Sequence, residues 1–480
     1  MAYPVTTDRS TAPRQPPPPA FAGTAYAVFA AAFAVGTLIH EFQSTIVWWM
    51  AIPVAAAAFW LLLRPARPAR LMLVLALLAV ESVVSLPSPS NHQVAMGILG
   101  FALVPWWLLL RLRDPAAAGN PAEVLRRAGP FLRVSFVLLW VFAALSKANS
   151  GFLDVLSSCS VWVLESIPLV EVPHGLHRWV IVATIAFEAA IPLLLLMHRT
   201  RPYAVVLAFG FHLVSAFAGH SSFSGFAWSM YALFLPPAVL ARGAALGAGG
   251  ARRFVPAGLR ALAVGRQAAV LVALVGAWVA VRYGLLALLP DGVQGGARHW
   301  GAVLLCVTFM GATGGVLLRL RRHWLPAQGP RADLRVRSGL MLFGIGLLVL
   351  TAAMPYLGLK TRAAFTMFSN VRTEPGHWNH LLVPEEVRVF GWQDGRVTFL
   401  GTDDPRLAER ITATDSDDVA VVGARAVVDG FPGATVRYRL DGVDRVAAPV
   451  AADPVLGTPL TPVQEWFAAL RPFADGTCQQ

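Results

Sequence analysis

Long apolar runs, broken by short polar segments rich in proline or arginine, occupy the first three quarters of the chain. They recur at about 23–41, 45–63, 70–86, 93–111, 131–147, 178–197, 203–218, 226–241, 268–289, 300–318 and 338–356. Each is close to the roughly 20 residues a helix needs to cross a bilayer, so eleven spans are predicted. After residue 360 the pattern changes. VRVFGWQDGRVTFLG alternates about Asp394-Gly395 and ATVRYRLDGVDRV about Asp441-Gly442, each predicting a β-hairpin. TPVQEWFAALRPF, with Thr461 as N-cap and Pro462 in the first turn, predicts a terminal helix. The opening residues, including Pro16–Pro19, hold no apolar core of a signal peptide; they read as a disordered cytoplasmic tail, and the first span serves as its own targeting signal. The expected fold is an all-α polytopic membrane protein of about 11 transmembrane helices with a small C-terminal α+β extramembrane domain. Its parts are the tail at 1–20, the membrane domain at 21–358 and the outer domain at 359–480.

Composition agrees with this pattern. Of 480 residues, 56% are hydrophobic and only 14% charged, and the mean hydropathy is +0.59. A soluble domain carries about 25% charged residues, so a soluble enzyme or a nucleic-acid binder is excluded despite a pI near 10.5. The net charge of +12 is unevenly placed, with +17 before residue 361 and −5 after it. With the N-terminus inside, the inner segments carry 23 arginines and the outer segments up to residue 360 only Lys147, Arg178, Arg298 and Lys360. That asymmetry orients a multi-pass plasma-membrane protein with its C-terminal domain extracytoplasmic. Of the three cysteines, Cys306 lies in an apolar span, while Cys159 and Cys478 fall on the oxidising side and could pair.

Charges inside apolar spans are expensive, so each needs a partner, a cavity or a function. His40, Glu41, Glu81, Asn91, His92, Lys147, Glu188, His212 and Arg282 all fall in the outer half of their spans or near the midplane, which suggests one polar cavity open to the outer side. Structural readings stand beside that one. Lys147 could snorkel to the interface, Glu188 and Arg282 could form an interhelical ion pair, His92 and His212 could each satisfy a carbonyl, and His40 and His220 could be interfacial. Lysine is nonetheless unusual in this chain, at two of 39 basic residues. Unlike arginine, it can lose its proton in an apolar site and act as a base. A base, two imidazoles and an apolar cavity suit proton abstraction from a lipid-soluble acid such as a quinol. No GxGxxG in a strand-turn-helix context, P-loop, CxxC or HExxH occurs, so no nucleotide or metal site is expected.

Three segments, NHQVAMGILGFAL, FVLLWVFAALSKANSGFLDVL and FHLVSAFAGHSSFSGFAWSMYALFLPP, resemble the blocks that define the HTTM (horizontally transferred transmembrane) domain of vitamin K-dependent γ-glutamyl carboxylase. The resemblance covers roughly residues 20–380. It implies that Lys147 is the base that deprotonates a hydroquinone, with His92 and His212 in the catalytic set and Asn91 lining the same site. From the polar cluster itself, and not from the resemblance, Glu188 and Arg282 are expected to complete the cofactor site. The cofactor would be a reduced quinone of the vitamin K or menaquinol type, with O₂ and CO₂ as co-substrates, and the site would face outward. The segment GLKTRAAFTMFSNVRTEPGHWNH, only loosely similar to the family's, is expected to place Arg372, Glu374, His377 and His380 over the cavity mouth, where a protein or peptide substrate would meet them. The expected partners are therefore membrane lipid or quinone and an outer-face peptide, with no nucleic acid. The alternative is a noncatalytic HTTM-type protein that binds a lipid or partner or moves a small solute.

Overall fold

The computed structural model describes residues 19–44, 48–86, 89–254, 264–324, 334–413, 418–468 and 478. Most of the expected 1–20 tail lies outside this set. The described residues are mainly helical, and among them seven helical runs are long and apolar enough to cross a membrane: Phe21–Gln43, Asn91–Arg113, Pro121–Ser146, His174–Leu196, Arg201–Phe234, Gln267–Leu288 and Val293–Arg319. Trp49–Leu63 and Gly339–Ala353 are apolar but shorter. The expectation of eleven spans is thus met at the coarser level of a bundle with seven membrane-length helical runs.

Local chemistry starts several of these helices. Ser90 accepts from the Gln93 amide while the Gln93 side chain returns to the Ser90 amide, forming a capping box before Asn91–Arg113. Asn120 caps Pro121–Ser146, whose first residue is a proline set for the helical φ.

The run Arg201–Phe234 is not one straight rod. Gly219 has φ 96°, and beyond it the chain folds back. The Phe209 and Trp228 rings are 5.2 Å apart and those of His212 and Tyr231 5.8 Å apart. In a continuous helix residues 212 and 231 would be separated by about 28 Å. Arg201–Ser215 and Ser221–Tyr231 therefore form an antiparallel helical hairpin, and glycine supplies the left-handed conformation at its bend. The Ser221–Tyr231 arm lies close against Pro19–Gln43. A Cβ on Gly36 would sit 2.7 Å from the Gly225 carbonyl oxygen, so that crossing depends on a residue without a side chain. Large apolar residues face outward elsewhere, among them Trp179, Val272 and Leu304, as a lipid-facing surface requires.

One end of the bundle is covered by two segments that each follow an apolar helix. Residues 148–158 follow Pro121–Ser146, and residues 361–383 follow Gly339–Ala353. Asn149 bridges to His380, Ser150 N donates to Asn379 O, and Leu381 N donates to Ala148 O. Asn370 accepts from Cys159 N and donates to Ser157 O. Cys159 is disulfide-bonded to Cys478, which ties the chain terminus to this cap.

Residues beyond the cap form a second hydrophobic core around a four-stranded antiparallel sheet of order β2-β1-β3-β4. Its strands are β1 (Arg396–Thr402), β2 (Asp418–Ala420), β3 (Val436–Leu440) and β4 (Val443–Ala447). The hairpin at Asp441-Gly442 joins β3 to β4, and both turn residues have positive φ, at 48° and 87°. The hairpin expected at Asp394-Gly395 does not form. Val389 and Phe390 donate their amides to Leu357 O, and Gln393 donates to Pro355 O and Leu359 O. The segment before Asp394 is thus hooked to the turn that follows the apolar helix Gly339–Ala353, and β1 pairs with β2 and β3 instead. The terminal helix spans Pro462–Phe467, with Thr461 and Gln464 forming its capping box.

Candidate functional site

Below the cap lies an apolar cavity of about 540 Å³, within the range of roughly 300–1,000 Å³ that small-molecule sites occupy. Aliphatic and aromatic residues make its walls, with Phe136, Trp140 and Phe211 from the bundle and Phe365 and Phe368 from the cap. Lys147 and Glu188 share one wall. Lys147 terminates Pro121–Ser146, and Glu188 projects from His174–Leu196, a neighbour in the bundle. Lys147 Nζ lies 2.8 Å from Glu188 Oε2, and both side chains are buried. The ammonium also donates to Met367 O at 3.2 Å and Ala143 O at 3.5 Å and sits 5.6 Å from the Phe152 ring centroid.

A second, polar cavity of about 450 Å³ adjoins the first, and the two share Asn91, His92, His220, Phe223, Met367 and Phe368 as wall. Asn91 opens its helix and accepts from Phe365 N at 2.6 Å, fixing the cap over the partition. His92 Nε2 is 2.9 Å from His40 Nδ1, and His40 in turn stands beside Glu41 and Glu81.

The structure therefore brings Lys147, Glu188, Asn91 and His92 to one pair of adjoining cavities. His212 lies behind the wall. It is fully buried among Trp140, Phe211, Phe223 and Tyr231, and neither ring nitrogen has a hydrogen-bond partner among the described residues. A carbonyl-satisfying role for it is not seen. Arg282 lines neither cavity. It donates to Ser44 O at 2.6 Å, and Glu188 pairs with Lys147, so the Glu188–Arg282 ion pair is replaced by two separate arrangements. His40 is 2% exposed and bonded to His92, so it is an interior residue of the bundle rather than an interfacial one. His220 lines both cavities, with its ring 4.2 Å from that of Phe368.

Arg372, Glu374, His377 and His380 line neither cavity. His380 is committed to structure, with Nε2 at 3.0 Å from Leu145 O and Nδ1 accepting from the Leu382 and Val383 amides. Burial holds its imidazole below the usual histidine pKa. Glu374 is buried and accepts from Thr373 N. The cap reaches the cavities through residues 362–368 instead. The aromatic and methionine character of AAFTMF was the available signal, but it is indistinguishable from ordinary core in a linear reading.

Compared with known protein families, curated proteins and solved structures, the chain matches none.

Proposed function

We propose that this chain is a membrane-embedded enzyme of the vitamin K-dependent γ-carboxylase type, which takes a proton from a reduced quinone at a site near the outer face. One observation carries the reading. A buried lysine–carboxylate pair stands in the wall of an aromatic cavity large enough for a small apolar ligand. The residues present fit such a group, since aromatic walls suit a planar ring and polar side chains from Asn91 and His92 meet it at one side and Lys147 and Glu188 at another.

The lysine–carboxylate pair can take up a proton without creating a lone buried charge. Lys147, its proton handed to Glu188, is the base, and the ammonium formed when it takes up the quinol proton faces the oxygen that lost it. When bound, the reduced quinone supplies the acidic hydroxyl and, with O₂, the oxidising chemistry from which the family generates a strong base for carboxylation by CO₂. Asn91 and His92 orient the ligand, and the cap excludes water through Phe365 and Phe368. The membrane domain spans the plasma membrane eleven times with the N-terminus cytoplasmic and the C-terminal domain outside, in keeping with the arginine distribution.

A noncatalytic HTTM-type protein, binding a lipid or moving a small solute, is the second reading. The observation that favours it is the saturation of Lys147, whose three N–H groups face one carboxylate oxygen and two carbonyls, as in a purely structural ion pair. Anaerobic addition of a menaquinol-type quinol, followed by O₂, separates the two: the enzyme oxidises it with turnover and the binder does not. In the same assay Lys147→Arg should retain quinone binding and lose turnover by about 10² or more, because arginine keeps the cation but not a titratable amine. Unchanged turnover in that variant overturns the catalytic reading.

A further inference from the structure

Behind the polar cavity, ligand-type side chains converge from two helices. His40 and Glu41 belong to the last turn of Pro19–Gln43 and Glu81 to the last turn of Pro68–Val84. Their ligand atoms all lie within 4.8 Å of one another, and the residues are 2%, 0% and 1% exposed. Four of these atoms, His40 Nε2, both carboxylate oxygens of Glu41 and Glu81 Oε2, have no hydrogen-bond partner among the described residues. His40 Nε2 is 3.5 Å from Glu81 Oε1 and 3.9 Å from Glu41 Oε1. Those gaps exceed the usual hydrogen bond of about 2.7–3.2 Å, but they suit atoms that share an ion with bonds of roughly 2.0–2.2 Å.

The surroundings are those of a ligand set. The other nitrogen of the His40 ring, Nδ1, is 2.9 Å from His92 Nε2, the orienting contact a metal-bound imidazole normally has. Gln93 donates to Glu81 Oε1 at 3.1 Å and steadies that carboxylate. His40 also lines the polar cavity, which gives an ion an access path and room for a further ligand. A single proton shared by Glu41 and Glu81 is the competing arrangement. It satisfies only one oxygen on each residue, leaving the other Glu41 oxygen unpaired at full burial and His40 Nε2 no closer than 3.5 Å to Glu81 Oε1.

We propose that His40, Glu41 and Glu81 bind one divalent first-row transition ion, with the remaining position open to the polar cavity. One imidazole and two carboxylates suit Zn²⁺, Mn²⁺ or Fe²⁺ better than Mg²⁺ or Ca²⁺, which favour all-oxygen shells. The inference departs from the sequence expectation of no metal because His40 lies inside the bundle and not at the interface. It does not depend on the quinol reading.

The test uses the full-length protein in detergent, stripped with a chelator, loaded with Zn²⁺ and assayed by mass spectrometry of metals after gel filtration. Co²⁺ titration followed by visible absorption and X-ray absorption serves as a second readout. We expect one equivalent of Zn²⁺ and a Co²⁺ d–d band with nitrogen and oxygen ligands. Glu81→Gln should abolish binding, and His92→Ala should keep the stoichiometry while weakening affinity by about 10- to 100-fold. Zn²⁺ content well below one equivalent in the wild type, or a full equivalent in folded Glu81→Gln, overturns the proposal. If Glu81→Gln does not fold, the wild-type Co²⁺ spectrum decides, and an all-oxygen shell or no band overturns it. None of these readouts involves quinol turnover, so failure here and failure of the carboxylase-type reading are distinguishable.

Discussion

The Lys147–Glu188 pair can be weighed by removing its halves separately and together. Glu188→Leu leaves the Lys147 ammonium in the cavity wall with only the Met367 and Ala143 carbonyls, at 3.2 and 3.5 Å, and the Phe152 ring at 5.6 Å. Breaking a buried pair by removing one partner costs about 3–5 kcal/mol. The two carbonyls and the ring stay in place, so a destabilisation at the low end of that range, about 3 kcal/mol, is expected. Lys147→Met leaves Glu188 buried with no other ion-pair partner among the described residues and should cost about as much. The double variant removes both charges and fills the space with side chains of similar length, so it should lie within about 1 kcal/mol of the wild type. The resulting coupling is about 5 kcal/mol, above the roughly 0.5–3 kcal/mol of most measured pairwise terms. Unfolding in mixed micelles of increasing sodium dodecyl sulfate content, followed by tryptophan fluorescence, measures each free energy. Additive single effects, or singles below about 1 kcal/mol, refute the claim that a desolvated ion pair holds these helices together.

Other expectations follow from particular contacts. Burial lowers the Lys360 amine to about 7 from its ordinary 10.5, so between those values the unfolded chain holds a proton that the folded chain lacks. Stability should then rise with pH across that window by up to about 1.4 kcal/mol per unit, and Lys360→Met should flatten the rise; parallel pH profiles of unfolding for the two proteins count against it. The Cys159–Cys478 bond leaves Cys306 as the free thiol, so alkylation under denaturing conditions should label one cysteine before reduction and three after, and three before reduction contradicts the pairing. Gly36→Ala should destabilise by about 1–3 kcal/mol because its Cβ meets the Gly225 carbonyl, whereas Gly276→Ala, with open space around it, should be neutral or mildly stabilising; equal effects on the melting temperature dispose of the close-crossing argument. Protease added to right-side-out vesicles should remove the domain after Lys360, and its protection reverses the orientation.

Much of this architecture is local and was readable as such. Apolar runs of helical length state how much chain is built to be buried or to face lipid, and the positive-φ demand at Asp441-Gly442 selects a hairpin without help from neighbours. Lys147 stood out because arginine fills nearly every other basic position. Depth along a helix can also be counted, and of the residues it puts in the outer half or near the midplane, Asn91, His92, Lys147 and Glu188 line the apolar cavity while His212 and Arg282 do not. What a linear reading lacks is the direction in which each side chain points around its helix and which helix stands opposite. That is why Glu188 could be matched with Arg282 when packing turns it to Lys147, and why His40 looked interfacial when packing turns it inward to His92. The hairpin at Asp394-Gly395 failed for the same reason. Its turn chemistry was sound, but Leu357 O and the Gln393 contacts offered the preceding segment better partners than β1 did. Within the segment expected over the cavity mouth, nothing in the linear pattern singles out residues 365–368, and only the disulfide and the Asn149–His380 bridge place them over the cavities. Backbone preference and hydrophobic burial act between neighbours in the chain, whereas partner choice among buried polar groups is set by contacts between residues hundreds of positions apart, and only the packed bundle brings those residues within reach of one another.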